Sequence, residues 1–142
     1  AEAAAKGFPL GLLIVDYLQL MGGMSNGQSK NDFYGDITRA CKQLAGELKI
    51  SIIMLSQLNR NLESRTDKRP MMSDLRESGA IEQDADVIIG IDRPEVWAQN
   101  DRPGEADIVI MKARGGITGV IAVKFHGATL TFGDEVMNRA PM

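Results

Sequence analysis

Leu12-Leu13-Ile14-Val15-Asp16-Tyr17-Leu18-Gln19-Leu20-Met21 is the stretch on which the fold turns. An apolar run, part of it β-branched, leads straight into a carboxylate. Such a run reads as a strand buried on both faces, the pattern of a parallel sheet covered by helices. Asp16 then stands at the C-terminal end of that strand, where open α/β sheets hold their ligands. A strand-end aspartate also has an ordinary use, as a cap on the following turn.

Outward from this strand the chain alternates strand and helix. Gly22 to Ser29 is rich in Gly, Ser and Asn and reads as a loop. Asn31 to Leu48 places Phe33, Ile37, Cys41, Leu44, Ala45 and Leu48 at helical spacing, with Lys42, Glu47 and Lys49 outside. Ile50–Gln57 is a second apolar strand. Asn59–Pro70 is charged and aperiodic, an exposed loop or a short helix. Asp86–Asp92 and Ala106–Lys112 are further strands. Val120–Phe125 and Thr129–Phe132 flank His126-Gly127-Ala128 and read as a closing hairpin. Strands alternating with helices early, then strands alone, predict an α/β fold. Its sheet is mostly parallel with an antiparallel C-terminal edge hairpin, and right-handed crossovers join the first strands.

Composition narrows the function. The chain has 142 residues, the length of one domain, and 44% hydrophobic residues support a core. No apolar run approaches the length of a membrane span, and no basic-plus-apolar leader is visible, so no membrane partner is expected. A single cysteine, Cys41, excludes an internal disulfide framework and reads as a small core residue. The cytoplasm is the simplest compartment. A net charge of −3 argues against a broadly basic nucleic-acid surface, but leaves room for backbone amides and one or two arginines in a narrow channel. His126 is the only histidine and sits in a turn, so neither a Cys/His metal set nor a Ser/His/Asp nucleophile can be assembled around it. Trp97 covers either a core edge or a subunit contact.

Three more blocks follow the Asp16 strand: Leu55-Ser56-Gln57-Leu58-Asn59-Arg60, then Ser73 through Asp86 (SDLRESGAIEQDAD), then Lys112-Ala113-Arg114. In this order, from about Gly11 to Phe132, they closely resemble the C-terminal motor domain of DnaB-type replicative helicases. The long, irregular SDLRESGAIEQDAD block is the most specific part, and it disfavours a RecA-type recombination or circadian ATPase relative. The resemblance implies a RecA-like P-loop NTPase core, here partial. It also implies ATP and Mg²⁺ as cofactors, a homohexamer moving 5′→3′ on single-stranded DNA, and a primase and a helicase loader as partners. No G-x-x-x-x-G-K-[ST] phosphate loop occurs; Gly22-Gly23 and Gly115-Gly116 lack its ending. In the family that loop and the glutamate that activates water lie upstream of the Asp16 strand. The chain is therefore expected to be the C-terminal part of a motor domain over residues 1–134, with a tail over 135–142 that is disordered or engineered. Ala1-Glu2-Ala3-Ala4-Ala5-Lys6 favours helix, as the end of a preceding helix or as a designed linker.

The resemblance also assigns roles. Asp16 would hold Mg²⁺ through water against the β- and γ-phosphates. Gln57 ends the neighbouring strand, and its amide can donate to a γ-phosphate while accepting elsewhere. In the family that position links nucleotide state to the DNA-contacting loop. Arg76, Glu77, Ser78 and Gly79 would form that loop, gripping phosphates in the channel of the ring. Gly79 would permit close backbone approach or a positive φ. The same segment also reads as a helix-capping turn, with Ser73 and Asp74 as caps, and Gly22–Lys30 is a second channel candidate. Lys112 and Arg114 alternate along a strand end and share one face. In the family this pair reaches the γ-phosphate held by the neighbouring subunit. A different reading keeps the fold without turnover: a catalytically dead RecA-like module that binds single-stranded DNA or docks onto a helicase ring.

Overall fold

The computed structural model describes residues 9–75 and 79–134. The alanine-rich opening, the tail, and Arg76, Glu77 and Ser78 lie outside the described residues. Two compact units divide the chain: Ala1–Asn59 with Leu75–Ala85, and Arg60–Asp74 with Asp86–Met142.

In the first unit, β1 (Leu12–Val15) and β2 (Ser51–Met54) pair in parallel, Leu12 beside Ser51 through Val15 beside Met54. Parallel neighbours require a crossover of a dozen or more residues. Here it contains the helix α1 (Lys30–Leu48). Ser29 caps that helix, its Oγ accepting from the Asp32 amide at 3.1 Å, and Asp32 in the first turn suits the helix dipole. Lys49 closes it in the left-handed region, φ 55°.

The buried strip of α1 differs from the expected one. Tyr34, Gly35 and Thr38 are buried, while Leu44 and Leu48 are exposed. A short helix, α2 (Gly79–Asp84), accounts for this. Gly35 lets Ala80 approach so closely that a Cβ at Gly35 would lie 3.0 Å from the Ala80 Cβ. The Thr38 hydroxyl donates to Asp84 at 2.8 Å. Spacing of apolar residues cannot reveal a contact made by a glycine and a hydroxyl. Cys41 is half-buried rather than deep in the core, though burial is enough to push its thiol pKa up.

β1 is not covered on both faces by the described residues. Leu12 and Ile14 are 45% and 58% exposed, alternating with half-buried Leu13 and Val15. The sequence pattern is that of a strand with two covers, and the described residues provide one.

The second unit is a four-stranded antiparallel sheet in the order β3-β4-β5-β6. Its strands are β3 (Val87–Asp92), β4 (Glu105–Ala113), β5 (Gly119–His126) and β6 (Thr131–Gly133). The closing hairpin is present as β5–β6, with Phe125 opposite Phe132. The antiparallel portion extends well beyond that hairpin to include β3 and β4. Ile88, Ala106, Val109, Phe125 and Leu62 are buried here. Gly90 is required by packing, since a Cβ there would lie 2.7 Å from the Cβ of Pro70. The aperiodic stretch contains a short 3-10 helix, Arg60–Ser64. Pro94 opens the one-turn helix α3 (Pro94–Trp97), a favourable place for a residue without an N–H.

Candidate functional site

Asp16 leaves the end of β1, and Gln57 lies three residues past the end of β2. Because the strands are parallel and in register, both residues emerge at the same C-terminal edge. They line one open recess together with Tyr17, Leu55 and Ser56. Both side chains are exposed, available to a ligand from solvent. The peptide bond between Asp16 and Tyr17 is cis.

Pairing continues past the regular strands. The Leu55 amide donates to Val15 O at 2.9 Å, and the Leu18 amide donates to Leu55 O at 2.9 Å. The chain then turns away through the 3-10 turn Leu18–Leu20, anchored by Leu18 at 0% exposure. From that turn the Gln19 carboxamide reaches back. Its Oε1 accepts from the Gln57 amide at 3.2 Å. Its Nε2 donates to Ser56 Oγ at 3.0 Å and to Gln57 O at 3.4 Å. Gln19 and Ser56 were not singled out from sequence. The available signal was a polar residue inside the apolar Leu18-Gln19-Leu20-Met21 run.

Gly79 begins α2 and is exposed. It is not among the glycines with positive φ, and a Cβ there would meet nothing within 4 Å. The positive-φ requirement is therefore absent, and no atom of the described residues crowds the position. Its expected neighbours Arg76 and Glu77 lie outside the described residues.

Lys112 and Arg114 belong to the second unit. Lys112 lies in β4 opposite Ile88, next to an irregularity between Ile88 and Ile89. Arg114 lies just beyond β4, its amide donating to Asp86 O at 2.7 Å. The sequence expectation that the two share one strand face rested on extended backbone through Arg114, but Arg114 lies in the turn after β4. The Arg114 guanidinium stands 3.4 Å from the Asp86 carboxylate, with both side chains more than half exposed. Gly115 then turns the chain at φ 79°.

The same unit holds charged groups that serve the fold. Asp107, 2% exposed, receives two hydrogen bonds from Arg102, each 2.7 Å. That pairing raises the Arg102 pKa further above its usual value. Asp92 is buried and accepts from Trp97 Nε1 at 3.2 Å; burial raises its carboxyl pKa. Trp97 also lies under the Lys68 ammonium, 5.5 Å from the ring centre. His126 ends β5, and its carbonyl accepts from Thr129 in the turn, in keeping with a structural role. Among the described residues, no group of three or more His, Cys, Asp or Glu is arranged to hold a metal ion. Nor is any helix among them long and apolar enough to cross a membrane.

Comparison with known proteins adds to this geometry. Residues 2–134 match the family model of the DnaB-like helicase C terminal domain. The replicative DNA helicase DnaB of Leifsonia xyli is 46% identical over 126 residues, which is 88% of this chain and 28% of that protein. The DnaB of Buchnera aphidicola from Acyrthosiphon pisum is 50% identical over 119 residues, 83% of this chain and 26% of that protein. The chain thus spans between a quarter and a third of the length of these relatives. Two solved structures superpose closely at 37% identity. One, an ATPase domain, gives a TM-score of 0.83 over 87% of this chain and 44% of that one. The other, a DnaB-like replicative helicase solved to describe its interactions with primase, gives 0.82 over 86% of this chain and 29% of that one. A RecA-like α/β core, strand-end acidic and amide groups at one parallel edge, and these matches agree: the chain belongs to the DnaB-like helicase C-terminal domain family.

Proposed function

We propose that this segment, residues 1–134, is the C-terminal part of the motor of an ATP-driven replicative helicase, a homohexameric ring that unwinds duplex DNA while moving 5′→3′ on single-stranded DNA. The observation that carries this reading is the shared recess of Asp16 and Gln57 at the C-terminal edge of two parallel strands. Open α/β sheets bind ligands at that edge.

The residues present fit ATP with Mg²⁺. The exposed Asp16 carboxylate at the strand end suits an ion held mostly by water and phosphate oxygens. Mg²⁺, when bound, supplies charge neutralisation of the β- and γ-phosphates. Asp16 orients its water shell. Gln57 presents an amide to the γ-phosphate and loses that partner on hydrolysis, a change suited to a switch. Lys112 and Arg114 act on the neighbouring subunit's nucleotide; Arg fits because its planar fork binds phosphate bidentately. Arg76, Glu77 and the Gly79 amide belong to the DNA-contacting loop, where contacts go to the phosphate backbone and are indifferent to sequence. Primase and a loader are the expected protein partners, in the cytoplasm. The similar helicase solved for its primase interactions supports the former.

The test is subunit mixing in the full-length helicase that carries this segment. Arg114→Ala should abolish hydrolysis while sparing nucleotide binding, because a finger acting in trans is worth roughly 10³–10⁵ in rate. Mixed with Asp16→Ala subunits, it should regain activity, since some interfaces then receive both intact residues. Mixed rings no more active than either variant alone would refute the trans assignment.

A further inference from the structure

We infer that Gln19 is a positioning residue for hydrolysis: its carboxamide sets the Gln57 main chain in register with the end of β1, and so presents the Gln57 side chain beside Asp16. The inference rests on the proposed role of Gln57 at the γ-phosphate.

A strand end stays in place only as far as its rungs continue. β1 and β2 are paired through Val15 and Met54, and two further rungs reach Leu55. Past that point β1 has no main chain left to offer, because Leu18–Leu20 turns off as a 3-10 helix. Ser56 and Gln57 would otherwise end as an unpaired strand terminus, open to fraying. A carboxamide carries the same donor–acceptor pair as a peptide group. Gln19 uses it as a peptide would: it accepts the Gln57 N–H at 3.2 Å and donates toward the Gln57 carbonyl at 3.4 Å. The 3.0 Å bond to Ser56 Oγ fixes the amide's orientation. One side chain thus replaces the missing rung.

The turn that carries Gln19 is itself held. Leu18 is fully buried, and the Leu20 and Met21 amides close on Tyr17 O and Leu18 O at 3.0 and 3.1 Å. Gln19 therefore joins the segment leaving Asp16 to the segment carrying Gln57, through a side chain that touches neither nucleotide nor metal in this reading. A displacement of one segment is passed to the other.

The experiment uses Gln19→Met and Gln19→Ala in the full-length helicase. Met keeps the stem and removes the hydrogen bonds; Ala removes both. The measurements are kcat, affinity for a fluorescent ATP analogue, and the fold stimulation of ATPase by poly-dT, each repeated on Gln57→Ala and on Gln19→Met with Gln57→Ala. The expected result is a kcat lowered about tenfold in both single variants, with hexamers intact, as for losing its three hydrogen bonds at the low end of their usual worth. Nucleotide affinity should stay within about twofold, since losses confined to the transition state appear in kcat. DNA stimulation should fall in parallel, and the double variant should be no slower than Gln57→Ala alone, as coupled residues behave. If Gln57→Ala is impaired while both Gln19 variants keep kcat and DNA stimulation, the positioning role is wrong and the Gln57 reading stands. If the two losses simply add, Gln19 acts by another route and the inference falls. If Gln57→Ala itself retains kcat and stimulation, the sensor reading fails first.

Discussion

Removing Arg65 should loosen the 60–74 segment far more than removing Asp74, although the two form one ion pair. Asp74 sits with 6% of its side chain exposed, and Arg65 with 27%. The guanidinium meets the carboxylate through two bonds of 3.0 Å and also donates to Arg69 O at 2.8 Å and Asp67 O at 3.1 Å. The Asp74 carboxylate also accepts from the Met71 amide at 2.8 Å. Arg65→Ala therefore leaves a buried carboxylate resting on that N–H and frees two carbonyls. Breaking a buried pair in this way costs about 3–5 kcal/mol. Asp74→Ala frees the Met71 amide and leaves a guanidinium that keeps two carbonyls and reaches water, so the loss is nearer that of charge-assisted hydrogen bonds, about 1.5–3 kcal/mol. Amide hydrogen exchange across 60–74 is the assay, because it reports local opening rather than global unfolding. Protection should fall roughly 10²-fold or more for Arg65→Ala, and about tenfold to 10²-fold for Asp74→Ala. The double variant should lie no lower than Arg65→Ala, since the stranded charge is gone. Equal losses, or a larger one for Asp74→Ala, would refute the assignment of the penalty to the buried carboxylate.

The 142-residue chain alone, which contains no G-x-x-x-x-G-K-[ST] loop, should release no phosphate from Mg·ATP with single-stranded DNA; turnover abolished by Asp16→Ala would contradict this. In the full-length helicase, Arg76→Ala should weaken binding of poly-dT and mixed-sequence strands about equally and reduce the salt dependence by roughly one phosphate's worth. Gly79→Val should do similar harm by blocking backbone approach, and a base-dependent loss, or none for either variant in intact hexamers, would shift the search for the channel contact to Gly22–Lys30. Asp92→Asn should raise thermal stability at pH 7. Burial raises its folded pKa above the ordinary 3.8, so the folded state binds the proton more tightly and stability from this group is lost as pH rises through that window. The asparagine keeps an acceptor for Trp97 and no charge; its advantage should vanish below the ordinary carboxylate value, and an advantage unchanged from pH 3 to pH 7 would assign the effect to something other than ionisation.

What was legible in the sequence were features that repeat or that carry an apolar pattern. The strands through Leu12, Ile50, Val87, Ala106 and Val120 read correctly because apolar runs of that length have few other uses. That Asp16 and Gln57 emerge at one edge was legible because strand ends in a parallel sheet share it. Contacts made by non-apolar atoms were not. Gly35 against Ala80 and Thr38 with Asp84 redirect the buried strip of α1, and neither leaves a periodic trace. The Gln19 carboxamide was invisible because its bonds stand in for a rung the main chain fails to make. The extent of the antiparallel sheet was underread because an apolar strand does not declare its partner's direction.

The cations of the second unit divide by what it takes to move them, and the division bears on the trans-acting role proposed for Arg114. Arg102 is locked on Asp107 in a buried, doubly bonded pair, and Arg65 on Asp74 in another. Withdrawing either would strand a buried carboxylate, so neither can serve a ligand without destabilising its surroundings. Arg114 rests against Asp86 at 3.4 Å with 58% and 53% of the two side chains exposed. A pair in that setting is worth about 0–1 kcal/mol, and water accepts both charges when it opens. In the role proposed for Arg114, the exposed pair with Asp86 would give way to a bidentate, charge-assisted contact with phosphate. The main chain beneath stays held, because the Arg114 amide remains on Asp86 O. An exposed guanidinium on a held main chain suits the role proposed for Arg114 at a neighbour's nucleotide.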